Sequence, residues 1–190
     1  MGVRLALWVF KTREEIVYIM EHELQINREM ILTNVRKEEV KLGDLSVRLA
    51  NYINQEPDKE YDIAIGTDSM TYDTTDFVLA VTIHRLHSGG IFFYKKMKHD
   101  RIKDLHQKLY AETGVSIDVA SILIDDFKEL GIDLMESNRI HFHIHMDIGD
   151  NGPTKELIQE LAGWVNALGY DCEVKPDSYA ASCIADKYSK

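Results

Sequence analysis

The sequence contains little cysteine and no long hydrophobic run, and its charge is not positive. Its two cysteines, Cys172 and Cys183, lack CxxC spacing, which argues against a disulfide framework and against a cysteine-bound zinc site. The apolar run at residues 5–10 is too short for a signal-peptide core or for a bilayer span. We therefore expect a soluble, cytoplasmic protein in a reducing compartment, without a membrane partner.

The formal net charge is -10. Such a charge opposes non-specific adhesion to nucleic acid or anionic membranes, because phosphate binding draws on clustered Lys and Arg. Carboxylates that hold metal ions add to the negative count, however, and the bound cations reverse the local field. One local basic stretch is present, formed by Lys95, Lys96, Lys98, Arg101 and Lys103.

The amino-terminal part of the chain differs in composition from the rest. Residues 12–41 are rich in Glu, Arg and Lys and contain neither Gly nor Pro. Thr12 and Glu15 form a capping box, which predicts a helix that begins near residue 13. Together these features predict an N-terminal helical extension over residues 1–43.

The remaining chain alternates strand and helix patterns. A helix is predicted after Asp44, ending before Pro57, and three closely spaced strands (YDIAIGTD, DFVLAVTIHRL and IFFYKKM) predict an antiparallel meander. A helix over 102–130, a strand at HFHIHMDI, a helix over 157–168, a strand at GYDCEVK and a last helix over 178–188 follow. The order βββαβαβα predicts an α/β domain with a mixed five-stranded sheet, whose later strands pair in parallel.

Four acidic residues lie at the ends of these predicted elements: Asp68, Glu112, Asp147 and Asp177. Ala64 and Gly66 share a strand face with Asp68 and leave room for an approaching group. Asp147 stands at the carboxyl end of its strand, where α/β sheets place ligands. Simpler roles also exist, since Asp68 could begin a turn and Asp177 could cap a helix.

Two of these positions have competitors nearby. Glu112 and Asp118 would lie about 120° apart around a continuous helix, unless Gly114 breaks it. Asp177 and Asp186 would lie roughly half a turn apart, so both cannot face one site. Asp177 is preferred because the start of its helix lies beside the carboxyl end of the preceding strand.

Converging carboxylates are the ligands that Mg²⁺ or Mn²⁺ prefers. Three or four of them can hold two such ions about 3.5 to 4 Å apart and clamp an in-line phosphoryl displacement. A different hypothesis takes His143, His145 and Asp147 as the HxHxD cluster of a zinc or iron hydrolase. It is weaker, because Ile148 stands where a further His is usual and other ligands are not evident.

The element order and its acids resemble the ribonuclease H-like superfamily. More closely, IGTDS, YAET, HMDIG and KPDSYAAS resemble the bacterial and archaeal YkuK family of that superfamily, over residues 44–190. The resemblance implies a ribonuclease H-like domain over 44–190 and a metal-dependent nuclease that acts on RNA or DNA. It also implies that Asp68, Glu112, Asp147 and Asp177 are the catalytic metal ligands, with Asp118 as the reserve for Glu112.

The competing function is a catalytically inactive binding or assembly module of the same fold. In that hypothesis the predicted N-terminal helix is a docking arm or a dimerisation arm, and as a dimerisation arm it makes the protein a homo-oligomer. A nuclease would lose metal binding and cleavage in Asp68→Asn or Asp147→Asn. An assembly module would cleave no nucleic acid and would stop self-associating when residues 1–41 are deleted.

Overall fold

The computed structural model describes residues 24, 26–148, 155–175, 177 and 178, which form three helices and one seven-stranded mixed sheet. The strands are β1 (Ile31–Thr33), β2 (Glu39–Lys41), β3 (Tyr61–Thr71), β4 (Thr75–Arg85), β5 (Gly89–His99), β6 (Ile140–Met146) and β7 (Asp171–Glu173). The helices are α1 (Leu42–Ile53), α2 (Leu105–Glu129) and α3 (Lys155–Ala167). The strand order across the sheet is β2-β1-β5-β4-β3-β6-β7.

The centre of the sheet is the predicted antiparallel meander. β3, β4 and β5 each have 11 residues and pair along their full lengths. β6 pairs in parallel with β3, and β7 pairs in parallel with β6. The chain covers these parallel steps with α2 and α3, as parallel pairing requires a crossover. The predicted α/β class and mixed sheet are confirmed.

The main hydrophobic core lies between the sheet and its helices. Alternate residues of β3, such as Ile63 and Ile65, are fully buried there, together with Leu49 of α1, Leu123 of α2 and Leu161 of α3. Because strand side chains alternate, the even-numbered residues of β3 point to the other face of the sheet. The two faces therefore present different chemistry at the end of β3.

The segment predicted as part of a helical extension contains a β-hairpin instead. β1 and β2 pair with each other, and β1 also pairs with β5, so the sheet gains two strands beyond the five predicted. Leu32 and Val40 are buried, and the side-chain oxygen of Asn34 accepts hydrogen bonds from the backbone of Arg36 and Glu38. This side-chain turn, with Lys37 at a φ of 62°, replaces helical hydrogen bonds.

Other predicted helices are partly outside the described residues. The helix expected near residue 13 and the last helix over 178–188 lie there. α2 runs without a break through Gly114, so the angular relation between its acidic residues applies. Within the described ranges, no helix is both long and apolar enough to cross a membrane.

Candidate carboxylate site

The two strand acids lie at the same end of the sheet. The parallel register pairs Gly66 with His145 and Thr67 with Met146, the last pair of β3 and β6. Asp68 and Asp147 are the residues that directly follow this last pair. Asp68 lies within β3 rather than in a turn, since β3 continues to Thr71. Both acids are half-buried.

Glu112 reaches this end of the sheet from α2, on the other side of β3. Ser69, the neighbour of Asp68, donates its hydroxyl hydrogen to Oε1 of Glu112 over 2.7 Å. The ammonium of Lys108, one helical turn earlier, lies 3.8 Å from the same oxygen and donates to the Ser69 carbonyl over 3.0 Å. Thr67 and Ser116, whose hydroxyl oxygens are 2.9 Å apart, fix α2 against β3 at this point.

The pKa of Glu112 depends on its burial and on the charges around it. Burial raises the pKa of Glu112 to about 8, while Lys108 and the Ser69 hydrogen bond lower it and the charges of Asp68 and Asp147 raise it further. Glu112 and Asp147 also line one small recess beside β6. At neutral pH the folded chain therefore keeps a proton on Glu112.

A second lysine occupies the Asp147 side of the site. The ammonium of Lys175 lies 2.7 Å from Oδ1 of Asp147. The backbone of Lys175 also donates to the carbonyl of Ile148 over 3.0 Å, which anchors the segment after β7 to the end of β6. Two of the three acids thus have a lysine ammonium group beside them: Glu112 has Lys108 and Asp147 has Lys175.

The other acidic candidates have different surroundings. Asp177 is exposed; burial raises the pKa of Glu173, and the charge of Asp177 adds to that shift. Asp118 is exposed on α2; burial raises the pKa of Tyr170, and Asp118 contributes to that rise. Asp186 lies outside the described residues. The structure therefore places Asp68, Glu112 and Asp147 at the same end of the sheet, with Glu112 on the α2 side of β3, and places Asp118 beside another group.

The histidine row of β6 makes contacts with neighbouring strands. Nε2 of His143 lies 3.4 Å from Oδ1 of Asp62 on β3, and Nε2 of His145 lies 3.1 Å from Oε2 of Glu173 on β7. His145 is buried, and burial lowers its pKa to about 4, so its ring is neutral at pH 7. The zinc or iron hypothesis gains no support from these contacts.

In the part of the chain that the structure describes, no three His, Cys, Asp or Glu side chains already surround one point as metal ligands. The clustered carboxylates nevertheless fit a hard divalent ion by their chemistry. They supply oxygen donors, burial and the charges of Asp68 and Asp147 raise the pKa of Glu112, and ammonium groups already stand beside Glu112 and Asp147. Asp68, Glu112 and Asp147 are therefore the residues that would hold such an ion.

Sequence reasoning missed the cationic and hydroxyl partners of these acids. Lys108 could have been found, because residues four apart on a helix are neighbours. Ser69 follows Asp68 directly and faces the opposite side, towards α2. Lys175 and Glu173 gave no signal, since their partners depend on the register between β6 and β7.

Comparisons with known proteins found a matching family model, a relative and a similar solved structure. The model of the family described as Ribonuclease H-like matches residues 44–190. "Uncharacterized protein YkuK" of Bacillus subtilis (strain 168) is 34% identical over 164 residues, which cover 83% of this chain and 95% of that protein. The N-terminal RNase H domain of a Mycobacterium tuberculosis protein, solved as a fusion with maltose-binding protein, is similar at 12% identity with a TM-score of 0.33, covering 68% of this chain and 94% of that one. The chain belongs to the ribonuclease H-like family and, within it, to the group that contains YkuK.

Proposed function

We propose that this protein is a Mg²⁺- or Mn²⁺-dependent nuclease that hydrolyses phosphodiester bonds of RNA or DNA. The observation that carries the proposal is the placement of three carboxyl groups at one end of the sheet: Asp68 lies in β3, its neighbour Ser69 donates to the buried Glu112, and Glu112 and Asp147 line one recess. Family membership supports it, because the family is named for a ribonuclease fold. Asp177 is included as a fourth ligand from the resemblance, and Asp118 stays the reserve for Glu112.

Each residue of the site has a definable task in this proposal. When bound, Mg²⁺ or Mn²⁺ supplies activation of water and stabilisation of the leaving oxygen. Asp68 and Asp147 present their carboxylates from adjacent strands, and Ser69 and Lys108 orient Glu112 from the other side. Lys175 offsets the charge of Asp147 in the absence of an ion. Loss of the Glu112 proton is part of ion binding, since the ligand must be the carboxylate.

The test is cleavage of fluorescent RNA, DNA and RNA–DNA hybrid oligonucleotides with Mg²⁺ or Mn²⁺. Asp68→Asn and Asp147→Asn should each lower the rate by about 100-fold or more, because the ions contribute several kcal/mol to the transition state. Mn²⁺ binding, followed by titration calorimetry, should weaken in the same variants.

Asp58→Asn is the matched control, because its side chain is 97% exposed and lies before the opposite end of β3. It should cleave like the natural protein. Cleavage that persists in both site variants would overturn the proposal. Oligonucleotide binding without cleavage, with either ion, would favour the catalytically inactive module instead.

A further inference from the structure

A pair of lysines on β5 lies on the same face of the sheet as Asp68. Asp68 pairs with Val78 of β4, and Val78 pairs with Lys96 of β5, so the three share one row and one face. The next row outward consists of Met70, Asp76 and Lys98. Two strand spacings separate Asp68 from Lys96, which is about 10 Å.

The outer row offers an accessible path between the carboxylates and the lysines. Val78 is buried, whereas Met70 is half-buried and both Asp76 and Lys98 are exposed. Lys96 is exposed as well. The two lysines therefore stand exposed on the sheet face that carries Asp68.

The chain after β5 carries two further cations, flanked by the exposed acids Asp100 and Asp104. Arg101 and Lys103 are exposed, and the backbone of Ile102 between them donates to the hydroxyl of Thr75 over 2.8 Å. That hydrogen bond anchors the segment to the first residue of β4. On a chain of net charge -10, the exposed lysines of β5 lie on the same sheet face as Asp68.

We infer that Lys96 and Lys98 bind consecutive phosphates of the nucleic-acid strand whose scissile phosphate lies at Asp68, Glu112 and Asp147. The inference rests on the proposed function, and it adds which surface holds the substrate. Lys96 and Lys98 are two residues apart on one strand, so their Cα atoms are about 7 Å apart and their side chains project in parallel. Asp76 opposes Lys98 in this row and weakens the binding of phosphate there.

The test is the affinity of a short fluorescent single-stranded RNA or DNA, measured by anisotropy in EDTA, where metal-dependent hydrolysis is switched off. Lys96→Gln with Lys98→Gln should weaken binding by about tenfold at low salt. The slope of log affinity against log salt should decrease by about 0.7 for each lysine removed. Asp76→Asn should strengthen binding, because it removes the opposing charge.

Lys59→Gln is the matched control, because Lys59 is an exposed lysine beyond the opposite end of β3. Unchanged affinity and slope in the double variant would overturn the inference, even if cleavage depends on Asp68. Lysine-dependent binding without any cleavage would keep the binding surface and reject the nuclease proposal. Absence of oligonucleotide binding by the natural protein would overturn the inference directly.

Discussion

Glu112 combines a buried position with a group that can ionise. Its ordinary pKa of 4.5 rises to about 8 in the folded chain, chiefly because burial disfavours the charged form. A proton therefore binds more tightly to the folded than to the unfolded chain. The resulting stabilisation is complete below the unfolded pKa and is lost as the pH rises through about 8.

Glu112→Gln should therefore raise the melting temperature at alkaline pH. Glutamine still accepts the Ser69 hydrogen bond but cannot ionise, so the variant should melt on the order of 5 °C higher than the natural protein at about pH 9. Near pH 4.5 the two should melt alike. Calorimetric melting at both pH values checks this, with Glu129→Gln, an exposed change on the same helix, as control. An equal shift at both pH values would mean that packing, not ionisation, is responsible.

At the scale of single residues, the sequence identified the acids better than their partners. Asp147 was recognisable because it follows a strand with a polar row, and Asp68 because it follows small residues on its face. Their adjacency depends on a register that only the folded sheet defines. Lys175 lies far from Asp147 in sequence, and Glu173 far from His145, so no local pattern could pair them.

At the scale of elements, the long periodic segments were predictable and the short ones were not. The three strands of the meander have strong β patterns, and α2 appears close to its predicted range. β1 and β2 have three residues each, too few to show an alternating period. The Glu, Lys and Arg residues in and around them favour a helix by propensity, but burial of Leu32 and Val40 against the sheet outweighs that propensity.

Gly90, near the start of β5, lies where a larger side chain does not fit. A Cβ atom on Gly90 would lie 2.4 Å from the backbone oxygen of Ile83, on the paired strand. Gly90→Ala should therefore destabilise the fold by about 1–3 kcal/mol, as overpacking does. Denaturant unfolding measures the change.

Gly163→Ala is the matched substitution for this prediction. Gly163 is exposed within α3, and a Cβ there meets nothing within 4 Å. Alanine should stabilise the helix by about 1 kcal/mol. The two substitutions should thus change the free energy of unfolding in opposite directions. A similar loss of stability in both would contradict the register between β4 and β5.

At the scale of the whole molecule, the hairpin of β1 and β2 is part of the sheet, although the family model matches only residues 44–190. Leu32 is fully buried, and the backbone of Leu42 donates to the carbonyl of Met30 over 2.8 Å. Arg28 forms an ion pair with Asp126, a buried residue of α2. Residues 26–43 therefore cover the edge of β5 and supply the cation that pairs with the buried Asp126.

A chain of residues 44–190 should be less stable than a chain of residues 24–190. It loses the burial of Leu32 and Val40, each worth about 1.5–3 kcal/mol, and leaves Asp126 without Arg28. The melting temperature should fall by about 10 °C or more. Because β1 no longer covers β5, the shorter chain should also aggregate through its exposed strand edge. Calorimetry and light scattering on the two chains decide this, since equal melting temperatures would show that the ribonuclease H-like domain folds independently of the hairpin.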